Sequence, residues 1–402
     1  MTDRWLGVVG IGEDGIGGLT PRGRMLIDGA ETLIGGDRHL AMLPDDGRER
    51  LTWPRPLTDL MPQIADRRGR PVCVLATGDP MFFGIGVTLA KHFAADEMEI
   101  VPSLSAFSLA AARLGWALAD VEQLTLHGRP VSLVVPFVQP GARLLILADG
   151  PDTPAQVAGI LAGRGYGDSR ITVLEHMGGA RERRVTGYAG DWQHGDIAAF
   201  HTLAVDCVAG ADAVTLPRIP GLPDDAFTSD GNMTKREIRA ATLAALAPLP
   251  GQHLWDIGAG CGSVAIEWMR AHPSCRATAV ESRADRIGLI ARNAIALGVP
   301  RLGMIEGEAT DVLTQLDAPD AVFIGGGSST PGLLDLCWDT LSPGGRLVAN
   351  AVTLEGEGAL AAFRAGHGGD LARISISRAE PVGPFTGWKP SMTVTQFVAV
   401  KT

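Results

Sequence analysis

Two glycine-rich turns that directly follow apolar runs constrain the fold of this chain more than any other feature. Residues 5–11 form an apolar run that ends among glycines, and residues 253–257 form a second one. An apolar run followed by a tight turn and a helix-like stretch is typical of a parallel α/β sheet. Because ligands bind beyond the carboxyl ends of parallel strands, the sequence predicts a small-molecule site in each half of the chain.

The alternation of strand-like and helix-like stretches breaks once, near residues 210–230. This region is rich in proline, glycine and aspartate, a composition typical of linkers. We therefore predict an α/β domain over residues 1–210, a linker over 211–228 and a second α/β domain over 229–402.

Helix-like stretches separate most of the apolar runs, and this arrangement predicts parallel sheets in both domains. The last apolar stretches, 373–377 and 392–400, are the exception and are predicted to form an antiparallel pair. Trp255 and Trp268 lie in apolar surroundings and are predicted to belong to the core.

Composition excludes several classes of protein. The formal net charge of −10 disfavours general nucleic-acid binding. The five cysteines are odd in number and have no C-x-x-C spacing, which predicts neither a disulfide framework nor a metal site. No run of 18 apolar residues and no signal-peptide pattern occur, so we expect a cytoplasmic protein without a membrane span.

The second glycine turn carries the sharper signal. Gly258, Gly260 and Gly262 permit a tight turn and a close approach of the backbone to a ligand. The helix that follows would point its amino terminus at that ligand. The dinucleotide fingerprint requires a further glycine where this chain has Ser263, so the spacing departs from that pattern.

Acidic residues surround this turn. Asp256 precedes the first glycine by two residues, and Glu281 ends the next predicted strand, where a carboxylate can accept from two ribose hydroxyls. Further motifs follow in order: Glu306-Gly307-Glu308-Ala309, then residues 320–326, then the turn at 341–345. Together they resemble the class I S-adenosylmethionine (SAM) methyltransferases, a Rossmann-like fold. The resemblance implies SAM binding by Asp256, Gly258, Gly260, Gly262, Ser263, Glu281, Gly307, Glu308, Ala309 and Gly325.

The first glycine turn satisfies G-x-G-x-x-G with Gly10, Gly12 and Gly15, which leaves an NAD(P)-linked oxidoreductase as an alternative. Against it, no helix is predicted to begin at Gly12. Thr20 and Pro21 are typical of a helix cap and a first helical position, so the helix begins too late to meet a pyrophosphate.

The motifs that follow the first turn resemble the tetrapyrrole methylase family, a different SAM-binding α/β fold. They are the strand and tight turn at 77–84 and the serine-rich helix start at 102–107. The resemblance implies that SAM is bound by Gly78, Asp79, Phe82, Phe83, Ser105 and Ala106. It also implies that the loop with Gly10 and Gly12 lines the cleft shared with the tetrapyrrole.

A tetrapyrrole methylase domain joined to a class I methyltransferase domain resembles the fused, bifunctional precorrin methyltransferases of cobalamin (vitamin B12) biosynthesis. The resemblance covers residues 1–210 and 225–402. It includes a Thr-Lys segment before the first helix of the second domain, which implies that Met233 and Thr234 lie near SAM.

This resemblance implies one SAM per domain. It implies methylation of a precorrin at carbon 5 by the first domain, and methylation at carbon 15 with decarboxylation of the ring C acetate by the second. It also implies a homo-oligomer with a small-molecule tetrapyrrole substrate.

Methyl transfer to a nucleophilic carbon depends mainly on alignment and exclusion of water, and neither domain shows a catalytic dyad. His127 and Glu308 are the candidates for acid–base work. Arg113, Arg129 and Arg184 are candidates for binding substrate carboxylates. Another precorrin or another carbon acid as substrate, and a non-catalytic SAM- or tetrapyrrole-binding protein, remain as alternatives.

Overall fold

The computed structural model describes residues 4–402 and groups them into two compact α/β units. The first comprises residues up to 131 together with 140–214, and the second comprises 132–139 together with 215–402. Within the described residues, no helix has both the length and the apolar character needed to cross a membrane.

The first unit contains two five-stranded sheets. Its strands are β1 Leu6–Ile11, β2 Thr32–Gly35, β3 Glu49–Thr52, β4 Val72–Thr77, β5 Met98–Val101, β6 Glu122–Thr125, β7 Arg143–Leu147, β8 Arg170–Glu175, β9 Arg183–Tyr188 and β10 His201–Asp206. Its α-helices are α1 Pro21–Asp28, α2 Asp37–Leu40, α3 Met61–Ala65, α4 Ile85–Leu89, α5 Ala106–Leu114 and α6 Thr153–Gly163.

The first sheet has the order β3-β2-β4-β1-β5, and all its neighbouring strands are parallel, as predicted. The second sheet has the order β6-β7-β10-β8-β9, and only β6 and β7 are parallel in it. The prediction of a parallel sheet is wrong for this second sheet. Residues 176–182 join β8 to β9 without a helix, so the chain can only reverse direction there.

The second unit contains a seven-stranded sheet and a separate hairpin. Its strands are β11 His253–Ile257, β12 Arg276–Glu281, β13 Gly303–Glu306, β14 Ala321–Ile324, β15 Arg346–Ala351, β16 Asp370–Ile374, β17 Ser377–Val382, β18 Phe385–Pro390 and β19 Val394–Val400. Its α-helices are α7 Arg236–Leu246, α8 Ser263–Ala271, α9 Ala284–Ala296, α10 Ala309–Val312, α11 Leu333–Thr340 and α12 Leu354–His367. Short 3-10 helices in the two units are Gly15–Gly18, Leu57–Leu60, Leu118–Asp120, Val131–Phe137, Ala189–Asp191, Asp224–Ala226 and Leu313–Gln315.

The large sheet has the order β13-β12-β11-β14-β15-β19-β16. Its first five strands are parallel, and β19 lies antiparallel between β15 and β16, which confirms the predicted antiparallel pair. The order reverses between β11 and β14, and this is where Rossmann-like sheets bind ligands. Trp268 is fully buried in one apolar cluster and Trp255 in another, so both predicted core residues are confirmed.

Part of the predicted linker is packed into the second unit. Leu216, Leu222 and Phe227 are buried in the same apolar cluster as Trp268. The guanidinium of Arg270 donates to the carbonyls of Leu216 and Pro217 at 2.9 and 3.2 Å. Residues 215–228 are therefore an integral part of this unit, whereas residues 211–214 are grouped with the first.

A buried ion pair holds this segment in place. Arg239 on α7 is fully buried, and its Nε donates to Oε1 of Glu267 at 2.6 Å. Its Nη1 also donates to the carbonyl of Thr234 at 2.6 Å, and the other oxygen of Glu267 accepts from the backbone of Gly221 at 2.6 Å. The pair thus connects the segment before α7 to the helix after the glycine turn.

We expect Arg239→Met to destabilise the second unit by roughly 3–5 kcal/mol, because it leaves the Glu267 carboxylate buried without its cation. Urea unfolding followed by circular dichroism measures the change. Arg283→Gln is the matched control, since Arg283 and Asp285 form an ion pair in which both side chains are more than half exposed. Equal midpoints for the two variants would contradict the structural importance of the buried pair.

Candidate functional site

The glycine turn after β11 lies at the reversal point of the large sheet. Gly258, Gly260 and Gly262 have φ values of 65°, 61° and 80°, in the left-handed region that favours glycine. A Cβ on Gly258 would lie 2.9 Å from the backbone nitrogen of Gly326. The turns after β11 and β14 are therefore in direct contact, and only glycine fits between them.

Asp256 lies beneath this turn with one oxygen available. The residue is buried, and its Oδ2 accepts a hydrogen bond from the backbone of Ala265 at 2.9 Å. Oδ1 has no partner among residues 4–402. Burial, with a smaller contribution from Glu281, raises the pKa of the Asp256 carboxyl to about 7. A buried and unpartnered oxygen of this kind fits a bound donor or cation.

Glu281 ends β12 and is also buried. Its Oε2 accepts from the backbone of Gly260 at 2.8 Å, and its Oε1 accepts from the backbone of Arg283 at 3.2 Å. Each carboxylate oxygen has two lone pairs, so the group retains acceptor capacity for a ligand. The fingerprint position predicted for ribose recognition is therefore occupied by a carboxylate held in one orientation.

A cavity of about 720 Å³ opens over this turn and lies within the second unit. That volume is within the range of small-molecule sites. The predicted residues that line it are Met233, Thr234, Asp256, Gly258, Gly260, Ser263, Glu281, Gly307, Glu308, Ala309 and Gly325. Gly262 is the one predicted residue of this unit outside the lining, and it forms the turn into α8. The glycine cradle and the free acceptors suit a ligand with a ribose and a positive charge.

Glu308, a candidate for acid–base work, lies at the entrance to α10. It is exposed, lines the cavity and makes no capping hydrogen bond to that helix. The carboxyl is therefore accessible to a ligand in the cavity.

Other lining residues were not predicted from the sequence. They include Lys235, Glu237, Asn350, Val352, Ile376, Arg378, Met392 and Val394. Asn350 is held by two hydrogen bonds, from its amide to Thr242 Oγ1 at 2.9 Å and to its Oδ1 from Gln396 at 3.0 Å. Lys235 could have been predicted, because it belongs to the Thr-Lys segment next to Met233 and Thr234. No sequence motif marks the other residues.

The predicted site residues of the first unit converge at one edge of its parallel sheet. A Cβ on Gly10 would lie 1.9 Å from the carbonyl oxygen of Gly78 and 2.6 Å from the nitrogen of Ser103. The Ser103 nitrogen donates to the Gly78 carbonyl at 3.1 Å, and Gly78 donates to Ile11 at 3.2 Å. The loops after β1, β4 and β5 are thus in contact at the carboxyl ends of the strands, where parallel α/β sheets bind ligands.

The side chains around this edge form turns, caps and an aromatic cluster. Asp79 Oδ1 accepts from the backbone of Met81 at 2.9 Å, and Ser105 caps α5 by accepting from Ser108 at 3.1 Å. Phe82 and Phe83 stack with ring centroids 5.0 Å apart, and both are partly exposed. Ala106 is the first residue of α5.

The first glycine turn lacks an α-helix at the position that a dinucleotide requires. A short 3-10 helix spans Gly15–Gly18, and α1 begins only at Pro21. Thr20 caps α1 by accepting from the backbone of Gly23 at 3.1 Å, as predicted. Gly12 lies directly after β1, where an added Cβ would be 2.6 Å from Oδ1 of Asp14.

His127, the other candidate for acid–base work, lies on an exposed loop. Its side chain is 79% exposed, and its Nδ1 is 3.5 Å from Oδ1 of Asp149.

Among the candidate arginines, Arg113 donates to Glu182 at 2.7 Å, and Arg129 lies 6.0 Å from the ring of Phe83.

Comparison with known proteins assigns a family to each half of the chain. Residues 6–192 match the tetrapyrrole (corrin/porphyrin) methylases, and residues 225–401 match the precorrin methyltransferase domain. Two shorter relatives each align with less than half of this chain. A cobalt-precorrin-7 C(5)-methyltransferase of Salmonella typhimurium is 36% identical over 180 residues, which are 44% of this chain and 88% of that protein. A protein of Saccharolobus solfataricus, named as a probable cobalt-precorrin-6B C(15)-methyltransferase (decarboxylating), is 37% identical over 143 residues, 34% of this chain and 72% of that protein.

Other relatives match nearly the full length of the chain. The precorrin-6Y C(5,15)-methyltransferase (decarboxylating) of Sinorhizobium sp is 48% identical over 394 residues, which are 98% of this chain and 95% of that protein. The chain therefore belongs to the family of the precorrin-6Y C(5,15)-methyltransferases (decarboxylating).

Proposed function

We propose that this chain methylates a precorrin at carbons 5 and 15 with SAM as the methyl donor and decarboxylates its ring C acetate, in cobalamin biosynthesis. The observation that carries the proposal is the cavity at the reversal point of the large sheet. There a glycine cradle, Asp256 with its unpartnered Oδ1, and the fixed carboxylate of Glu281 line one space. The match of the whole chain to the family supplies the substrate class.

The residues of the second domain provide binding and alignment. SAM supplies an electrophilic methyl group and a neutral leaving group, so no protein nucleophile is required. Glu281 offers acceptors for ribose hydroxyls, and Asp256 offers negative charge close to a cationic ligand. The contact of Gly258 with Gly326 fixes the turn before the ligand binds, which reduces the entropy lost on alignment.

We assign methylation at carbon 5 to the first domain and methylation at carbon 15 with decarboxylation to the second, with one SAM in each. The two shorter relatives support this division, because their names give these two activities to separate proteins. In the first domain, the convergence of Gly10, Gly78 and Ser103 supports a donor site at the sheet edge.

For decarboxylation, the cavity offers apolar surface from Val352, Ile376, Met392 and Val394. A carboxylate placed against such surface loses hydration, which favours breaking the bond to carbon dioxide. The electron pair of that bond passes into the conjugated macrocycle. Glu308, which lines the same cavity, is the candidate proton donor.

We further infer a cytoplasmic homo-oligomer. The five cysteines are all free and buried, which suits a reducing compartment. The assembly is inferred from the resemblance of both domains to families that form closed homo-oligomers.

The proposed function predicts a defined product. Incubation of the full chain with precorrin-6Y and SAM should yield a tetrapyrrole with two added methyl groups and one carboxyl fewer, detected by mass spectrometry. If the chain methylated another precorrin and not precorrin-6Y, the substrate assignment would change. Binding of NAD(P)H in place of SAM would support the oxidoreductase alternative.

Glu281→Gln should weaken SAM binding at one of two sites by roughly tenfold, because the variant replaces charge-assisted hydrogen bonds with neutral ones. Calorimetric titration of the full chain measures both sites. Glu306→Gln is the matched control: Glu306 lies opposite Glu281 in the register of β12 and β13, is exposed and is outside the cavity lining. Equal effects of the two variants would rule out the proposed role of Glu281.

SAM affinity at the second-domain site should rise about tenfold between pH 6 and pH 8. The pKa of Asp256 is raised to about 7 in the free protein, so its carboxyl is mostly neutral at the lower pH and ionised at the higher one. A cationic ligand prefers the ionised form. Titrations of the wild-type chain and Asp256→Asn across this range test the point, and an identical pH dependence in both would contradict it.

A further inference from the structure

The residues that line the cavity differ in charge between the two sides of the sheet. Glu281 ends β12 and Glu308 follows β13, so both lie on the β12–β13 side of the glycine turn. Asn350 belongs to β15, and Arg378 belongs to β17, which follows β16. Glu281 and Glu308 therefore lie on one side of β11 together with Arg286, whose Nη1 is 3.8 Å from Oε2 of Glu281. A second set of polar groups, which includes Glu237, comes from elements on the other side.

Two cations belong to this second set. Lys235 precedes α7, which packs on β14, β15 and β19. Arg378 Nη2 donates to Oε2 of Glu237 at 2.6 Å, with side-chain exposures of 49% and 38%. Lys235 has no ion-pair partner among residues 4–402. Two cations and one carboxylate leave an excess positive charge here, in a protein whose net charge is −10.

The Arg378–Glu237 pair is of the kind that an incoming anion can replace. Half-exposed ion pairs contribute little to stability. A guanidinium has five donors, and Glu237 occupies only part of that capacity. A ligand carboxylate can therefore share or take over Arg378 at low energetic cost.

The carboxylate that leaves as carbon dioxide requires surroundings other than a cation. Bound to a cation, the departing carboxylate would have its charge stabilised in the ground state, and the loss of carbon dioxide would be slower. Val352, Ile376, Met392 and Val394 supply apolar surface in the same cavity. A cation can therefore assist substrate binding without slowing decarboxylation only if it binds a carboxylate that the product retains.

We propose that Arg378 and Lys235 bind a peripheral carboxylate of the tetrapyrrole that remains on the product, and that this contact directs the ring C acetate to the apolar surface. This inference rests on the proposed function and names the substrate contacts of the same site. It makes Arg378 a residue that determines substrate binding, whereas Glu237 competes with the substrate for it.

Three single variants of the full chain test the inference through the release of carbon dioxide from precorrin-6Y. Arg378→Gln should raise KM for precorrin-6Y about tenfold and leave SAM affinity unchanged, because a charge-assisted hydrogen bond to the substrate is lost. Glu237→Gln should lower KM or leave it unchanged, because Arg378 is then free. Lys389→Gln is the control on the same hairpin, where Lys389 pairs with Glu380 at 2.9 Å outside the cavity lining, and it should have no effect.

A purely structural ion pair would give a different pattern. In that case Arg378→Gln and Glu237→Gln would raise KM to the same extent, and this outcome would overturn the inference. An unchanged KM in Arg378→Gln would overturn it as well. If the wild-type chain itself released no carbon dioxide from precorrin-6Y, the proposed function would fail, and this result is distinct from the other two.

Discussion

The carboxylate of Glu281 is the contact on which the geometry of the second-domain site depends. It accepts from the backbone of Gly260 at 2.8 Å and so fixes a turn whose glycines have no side chains to anchor it. Glu281 can do this because β11 and β12 pair in the register Ile257 to Val280. A shift of one residue would move the carboxylate to the opposite face of the sheet. The register of two buried strands thus sets the position of the proposed donor site.

A second constraint acts from beneath the cavity. Arg239 and Glu267 are fully or almost fully buried, and each satisfies backbone groups of the segment that precedes α7. Met233 and Thr234, at the end of that segment, line the cavity. Buried charges are tolerated only when paired and fully hydrogen-bonded, so the pair permits few alternative positions for this segment. The ion pair therefore acts on the site through the backbone, and neither residue contacts the ligand space.

The sequence identified cavity-lining residues that lie close together in the chain, but it did not identify those that reach the cavity from distant segments. Asp256, Gly258 and Glu281 were predicted because a turn, its acid and the next strand end lie within one strand–helix–strand unit. Asn350 and Arg378 reach the same cavity from strands far along the chain, and no short spacing records that proximity. The apolar run of β8 does not differ from that of a parallel strand, and β9 was missed because it begins with two arginines and has no apolar run.

The predicted linker shows another limit of composition. Prolines, glycines and aspartates between 211 and 228 are typical of a flexible connection, yet Leu216, Leu222 and Phe227 are buried. These apolar residues follow neither a helical nor a strand period, so pattern analysis could not identify them as core. Their burial depends on Arg270 and Glu267, which satisfy the backbone of an irregular segment. Irregular segments pack only when distant side chains supply their hydrogen bonds.

The charge pattern of the cavity explains how an acidic protein can bind a polycarboxylate. At physiological ionic strength, charges beyond about 8 Å are largely screened, so the net charge of −10 says little about one side of one cavity. Asp256, Glu281 and Glu308 supply negative charge that suits a cationic donor, partly offset by Arg286. Lys235 and Arg378 provide positive charge on the other side of β11. A cation and a polyanion can thus occupy one cavity, each attracted to a different side.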